Sequence, residues 1–405
     1  MKKTIILLLS IVLFSACDSL QIFPKNSKGI DKIPNEFFEL GEVKMKNQIE
    51  TIDFEMVNKL PVCQVEINGK KYRFLIDTGA LTIIPREVFD ELELAVRYRG
   101  MFNDFNNEKP QVKDFVILPS LKINNLEFKD IGAVAFTIEN DLMKCLYDGI
   151  IGANMLAKLK WKFDYSNKKA YASKSMEDLI EEQIDYSFPF TTNRQKSPYI
   201  KGKILGKSLN FLFDTGYNGR FSIPNEYAFY KENSTENQFI TTTGVQAVGL
   251  YGPSNTVKSF VLKAEVEVAE MTFPDELISG GNGAFMGSEF LADYIFLMNW
   301  EDQVIYLKKN EKSTQNLKIE SFGYGSLFVN GKLQVVKIIE EANSPLKIGD
   351  EIQSINNHVY ADVCAYVLNN QERELDEIEL QIKRGKQVLN FTLQPQQTDQ
   401  YSFVG

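Results

Sequence analysis

The chain has 405 residues, 44% of them hydrophobic and 12% aromatic, enough apolar surface for two or three domains and too much for a disordered chain. Lys and Arg number 45 against 54 Asp and Glu, a net charge of −9 without a basic tract, so no nucleic-acid partner is expected. A single histidine, His358, argues against a histidine zinc site and leaves one candidate base for a Ser-His or Cys-His device. The chemistry expected is that of carboxylates, with no metal and no cofactor.

In chain order, Lys2 and Lys3 precede an apolar run over residues 5–14, which is followed by Ser15-Ala16-Cys17. A basic start, a short apolar stretch and small residues before a cleavage point describe a secretory signal, too short for a permanent membrane span. The Ala16-Cys17 step resembles the bacterial lipobox. It implies a signal peptide over 1–16, lipidation of Cys17, and a membrane-anchored protein of the cell envelope facing the periplasm or the exterior. Ordinary secretion with cleavage near Ala16 is the alternative. Residues 17–45 read as a polar tether carrying Pro24 and Pro34. Beyond Cys17 there remain Cys63, Cys145 and Cys364, an odd count that allows either one Cys63–Cys145 bridge or buried free thiols.

The middle of the chain is a duplication. Pro61 to Asp77 and Pro198 to Asp214 both span sixteen steps, each with Gly-Lys at the same place (Gly69-Lys70, Gly206-Lys207). Each stretch reads as a strand, a glycine turn and a second, more apolar strand running into Asp-Thr-Gly. Each is followed by a proline opening a short helix, over residues 85–92 and 224–231. The far ends match as well. Ile150-Ile151-Gly152 and Phe285-Met286-Gly287 each lead into a short helix and a hairpin, with nineteen residues from Gly152 to Tyr171 and from Gly287 to Tyr306. The hairpins turn at Ser166-Asn167 and Glu301-Asp302. Two mostly-β lobes follow, over 46–175 and 176–310.

One Asp-Thr-Gly is a turn; two in a duplicated fold face each other across a pseudo-twofold axis. Asp77 and Asp214, brought that close, cannot both ionise cheaply and share one proton over a wide pH range. The ionised member can take a proton from a trapped water while the other hydrogen-bonds a carbonyl under attack. Thr78 and Thr215 are placed to bond across the axis. Gly79 and Gly216 leave room for backbone N–H groups beside the carboxylates.

These motifs resemble the retropepsin-like and pepsin-like aspartic peptidases, with both lobes on one chain. The resemblance implies a mainly β, bilobal acid-protease-type pair of β-barrels, Asp77 and Asp214 as catalytic pair, a peptide or protein substrate held between the lobes, and a covering hairpin flap. Flap candidates are residues 98–110 and 244–253. Ala80 follows the family pattern after the first motif; Tyr217 after the second does not, and it could crowd the groove or mark a lobe that no longer cuts.

Residues 308–316 are polar and read as a linker. Beyond it, Ser344-Pro345 followed by Gly349-Asp350-Glu351-Ile352 and Ile355-Asn356-Asn357 resembles a PDZ domain over 317–395. The resemblance implies a β-rich domain that takes an extended peptide, with Phe322, Gly323, Tyr324 and Gly325 as a loop for its terminal carboxylate and residues 362–370 as the groove helix. The insertion after Pro345 is shorter than is usual, which leaves a packing or docking role open. His358 is expected in an exposed turn and Asp350 as a turn cap. The reading is an aspartic endopeptidase of the cell envelope; the alternative is a peptide-capturing lipoprotein of the same fold that does not cut.

Overall fold

The computed structural model describes residues 29–104, 110–180, 183–226, 239–311, 320–342, 344–369 and 376–397. The expected signal peptide, Cys17, residues 312–316 of the expected linker and 317–319 at the start of the expected PDZ-like domain lie outside them. The chain is mainly β, with barrel-like sheets.

Both duplicated hairpins form. Leu60–Ile67 pairs antiparallel with Lys70–Asp77 in the register Cys63↔Phe74, and Pro198–Ile204 with Lys207–Asp214 in the register Ile200↔Phe211. The two-residue turns need left-handed backbone at both positions, supplied by Asn68 (φ 51°) with Gly69 (φ 75°), and by Leu205 (φ 50°) with Gly206 (φ 73°). Each second strand then lies parallel to the apolar-glycine strand from the far end of its own lobe. Asp77 is level with Gly152, and Asp214 with Gly287. Glycine is required at 152, because a Cβ there would run into the backbone at Leu81 and Thr82.

Strands from both lobes join in one continuous sheet. Tyr186–Pro189, Val304–Lys309, Tyr294–Asn299, Lys160–Asp164, Lys169–Ser173 and Ile49–Val57 are neighbours in that order. The lobes meet where Phe163 pairs with Phe296, their rings stacked 4.8 Å apart. Ile52, Phe54, Trp161, Phe163, Phe213 and Phe296 belong to one buried apolar core that runs through both lobes.

Three expectations are corrected. The tether is not free from residue 33 onward: Ile33, Phe37 and Phe38 are buried, Asn35–Glu39 is helical, and Glu42–Lys44 pairs with Leu126–Phe136. Three large apolar side chains in a polar stretch give that segment a face to bury. The first cysteine pairing is also different: Cys145 bonds Cys364, with Cα atoms 5.2 Å apart, and Cys63 is the free, buried thiol, pushed by burial up to about 12. The C-terminal unit is not detached. Its strand Lys332–Ile339 adds to Phe239–Val245 of the second lobe (Thr242↔Ile339, Gly244↔Lys337), and Cys364 ties its helix Val363–Asn369 to the first lobe. Gly244, at φ 134°, permits this pairing, since a Cβ would strike the Val336 carbonyl. Asp350 caps its local turn as expected, accepting from the N–H of Lys347 at 2.7 Å, and it is also a buried partner of Arg384 at 2.7 and 2.8 Å.

The helix expected at 85–92 forms as Arg86–Glu91 with Pro85 at its N-cap. Its counterpart begins as a single tight turn at Asn225 and Glu226, and the remainder lies outside the described residues.

Candidate functional site

Asp77 and Asp214 end equivalent strands and face each other at the junction of the lobes, each carboxyl lying against the opposite lobe's glycine. Their loops are cross-bolted. Thr78 N donates to Thr215 Oγ1 at 3.0 Å and Thr215 N to Thr78 Oγ1 at 3.1 Å. Each hydroxyl donates onward to the other lobe's backbone, Thr78 to the Phe213 carbonyl at 2.5 Å and Thr215 to the Ile76 carbonyl at 2.7 Å. Both threonines are fully buried, so all four bonds are shielded from water. Replacing Thr78 with Ala should remove two of them and leave a buried N–H without its acceptor. The expected cost is about 2–4 kcal/mol, read as the change in unfolding midpoint, with Thr215→Ala giving a similar loss and the double variant less than their sum.

The glycines act across the axis. The N–H of Gly79 donates to Asp77 Oδ1 at 2.7 Å, and that of Gly216 to Asp214 Oδ1 at 2.8 Å. A Cβ at Gly79 would lie 2.7 Å from Cγ of Asp214, and one at Gly216 would run into the Asp77 carboxyl. Any larger residue at either position would push the carboxyls apart.

Electrostatics separate the two acids. Burial raises the Asp77 carboxyl to about 6, against the lowering effect of the Gly79 N–H, the Asp214 carboxyl and the Ala80 N–H. Asp214 is raised well above the ordinary range, first by burial and then by the Asp77 charge. Asp77 therefore ionises first and Asp214 holds the shared proton. The buried phenols of Tyr147 and Tyr165 feel both carboxyls, and burial keeps them neutral.

Tyr217 turns into its own lobe. Its ring lies against Phe285, 5.5 Å between centroids, and its hydroxyl faces Ser279 and Ser222. Both flap candidates are hairpin segments. Val96–Phe102 pairs with Gln111–Ile123, the tip at 105–109 lying outside the described residues, while Val248–Gly249 pairs with Gly252–Pro253. They meet through Tyr251, whose hydroxyl donates to the Phe102 carbonyl at 2.8 Å and whose N–H donates to Asp104 Oδ2 at 3.1 Å. Val248, Leu250 and Tyr251 pack with Ala80 and Phe102 around the first-lobe cluster of Leu75, Ile83, Tyr147 and Ile150.

In the C-terminal unit, Phe322, Gly323, Tyr324 and Gly325 lead into the strand Tyr324–Val329, and the Gly323 carbonyl accepts from Ile339 N at 2.9 Å. Asp362 caps the helix Val363–Asn369 through the N–H of Ala365. Tyr366 of that helix meets Ser326 of the strand, the two hydroxyls 2.6 Å apart. His358 sits in a turn bridged to Ile355, its ring 4.5 Å from Tyr360.

Two supporting networks were not anticipated. In the first lobe, the Asn154 side-chain carbonyl accepts from Thr82 N at 2.9 Å and Thr82 Oγ1 at 2.8 Å, and its amide donates to the Gly132 carbonyl. In the second, buried Arg220 is paired with Glu276 at 2.7 and 3.0 Å and with Asp293 at 2.7 Å, while its carbonyl accepts from Gly287 N. Ser222 pairs with Phe285 as Ile83 pairs with Ile150, which sets Arg220 level with the buried Leu81 of the first lobe. A charge in place of its twin's buried leucine was the available signal.

The chain matches no curated protein. Residues 63–155, from the first strand of the first-lobe hairpin through Asp77-Thr78-Gly79 to just past Ile150-Ile151-Gly152, match the family model described as aspartyl protease.

Proposed function

We propose that the chain is an aspartic endopeptidase in which Asp77 and Asp214 activate one water for attack on a peptide bond held between the lobes. The observation that carries this is the placement of the two carboxyls face to face across the lobe junction, each against the opposite lobe's glycine. Ionised Asp77 takes a proton from the water as its oxygen bonds the carbonyl carbon. Protonated Asp214 hydrogen-bonds the carbonyl oxygen, where negative charge develops. Collapse of the tetrahedral adduct breaks the C–N bond, and the proton on Asp77 passes to the leaving amine. No covalent intermediate with the chain forms.

The same reading includes a lipid anchor at Cys17 in the cell envelope and a PDZ-like C-terminal unit that docks a peptide terminus at Phe322, Gly323, Tyr324 and Gly325. One observation favours capture without cutting: the second-lobe hairpin tip packs on the first-lobe apolar wall beside Ala80. Incubating the protein with a diverse peptide pool across pH 3–8, with and without a transition-state-like aspartic-peptidase inhibitor, separates the two. Cleavage that the inhibitor stops supports the peptidase; retained peptides with no inhibitor-sensitive products support capture. Because Asp77 must be ionised and Asp214 protonated, kcat/KM for a cleaved peptide is expected to rise with pH through a limb near 6. A limb near the ordinary carboxylate value would contradict that assignment.

A further inference from the structure

The Asp77 loop is gripped from the other lobe by residues just ahead of the strand Pro198–Ile204. Residues 193–197 form a tight turn in which the Asn193 side-chain carbonyl accepts from the N–H groups of Gln195 (3.1 Å) and Ser197 (3.0 Å). Lys196 is held at φ 72°, a left-handed conformation that a side-chain-bearing residue keeps only where its surroundings impose it. The Trp300 indole N–H bonds the Lys196 carbonyl at 2.9 Å. From this turn the fully buried Ser197 donates its hydroxyl to the Gly79 carbonyl at 3.0 Å, and the Gln195 amide donates to the same carbonyl at 3.2 Å.

The N-terminal segment braces the turn from behind. Arg194 donates to Asn35 Oδ1 at 2.8 Å and to the Ile33 carbonyl, and its guanidinium lies over the Phe38 ring. Lys196 pairs with Glu39 at 2.8 Å. The grip is one-sided. Ser197 immediately precedes Pro198; the residue that precedes Pro61 in the first lobe is Leu60, which has no hydroxyl to offer.

What is gripped matters because Gly79 touches both acids: its N–H is on Asp77 and its α-carbon lies against the Asp214 carboxyl. We propose that Ser197 and Gln195 are positioning residues for hydrolysis, fixing the Gly79 peptide so that the two carboxyls keep their facing geometry, with residues 33–39 as the brace. This rests on the peptidase reading above. The groups that face Asp77 are Asp214 and the neutral phenols of Tyr147 and Tyr165, none of which the substitutions below touch.

The test compares Ser197→Ala, Ser197→Thr and Gln195→Ala on a peptide that the parent protein cleaves, together with hydrogen exchange at the Gly79 amide. Ser197→Ala is expected to lower kcat about tenfold, the scale of one lost hydrogen bond, with KM within about twofold. Ser197→Thr restores the rate, and Gln195→Ala gives a smaller loss. With the Gly79 N–H held less firmly on ionised Asp77, the acid limb of the pH profile moves upward, and Gly79 exchanges about tenfold faster. Unchanged kcat in Ser197→Ala, an equal loss in Ser197→Thr, or a change in KM alone would overturn the grip. A parent protein without turnover overturns the peptidase reading instead; Gly79 exchange then still decides, and an unchanged rate in Ser197→Ala would overturn the grip on its own.

Discussion

Asp77→Asn is expected to abolish peptide cleavage and at the same time to make the protein more stable at neutral pH. Loss of turnover follows from the chemistry: an amide cannot take a proton from water, and a fall of at least about a thousandfold is expected. The gain in stability follows from burial. Asp77 is 8% exposed, and burial raises its carboxyl to about 6 in the fold, from an ordinary value of 3.8. A carboxyl raised in this way stabilises the folded chain only while protonated. Its contribution is whole below about pH 4 and is lost as pH rises through about 6, where the folded chain must carry a buried charge. Asn removes that cost, about 1–3 kcal/mol at pH 7, so the variant's thermal midpoint should exceed the parent's at pH 7 and converge with it near pH 4. Asp214→Asn should behave alike in turnover. A variant that loses activity and is less stable at every pH would mean that the carboxyl pair holds the lobes together rather than being held by them.

Breaking the Cys145–Cys364 bond is expected to have the largest effect on the C-terminal unit. The bond closes a loop with a sequence separation of 219, for which the chain-entropy relation gives about 5 kcal/mol as an upper value. Besides the bond, the unit is held by the short pairing of Thr242, Thr243 and Gly244 with residues 337–339, by Glu340 and Glu341 bonded to Thr243 and Thr241, by Ala342 packed on Ile240, and by Val367 on the first-lobe cluster. Reduction by a dithiol, or paired Cys145→Ser and Cys364→Ser, should therefore lower the first unfolding transition by several degrees. Limited proteolysis should then cut between the second lobe and the C-terminal unit, where the oxidised protein resists. A midpoint and digestion pattern unchanged by reduction would show that strand pairing alone suffices.

The parts of this architecture that were legible in the sequence are those encoded locally or by repetition. Asn68-Gly69 announces a hairpin by its turn chemistry, and the even spacing of Pro61 to Asp77 and Pro198 to Asp214 fixes the register of both. Matching Gly152 with Gly287 predicts which strand lies beside each Asp-Thr-Gly. Features that depend on residues far apart escaped. Nothing near Ser197 signals that its hydroxyl meets Gly79, 118 residues away, and nothing near Cys145 points to Cys364 rather than Cys63. Polar composition concealed the apolar face of Ile33, Phe37 and Phe38, since three anchors suffice to dock a short helix on an existing wall. Tyr217 was read from its place in the motif as an obstruction, whereas its ring packs against Phe285 within its own lobe.

The claim on which the rest depends is that a water activated by the carboxyl pair opens the peptide bond. Cleaving one identified peptide in water enriched in oxygen-18, with parent protein and Asp77→Asn side by side, tests it most directly. Direct attack predicts one heavy oxygen in the new carboxyl terminus of every product molecule formed by the parent, no fragment transferred to an added amine, and no labelled product from Asp77→Asn. Unlabelled carboxyl termini, transfer to the amine, or equal labelling by the variant would contradict it.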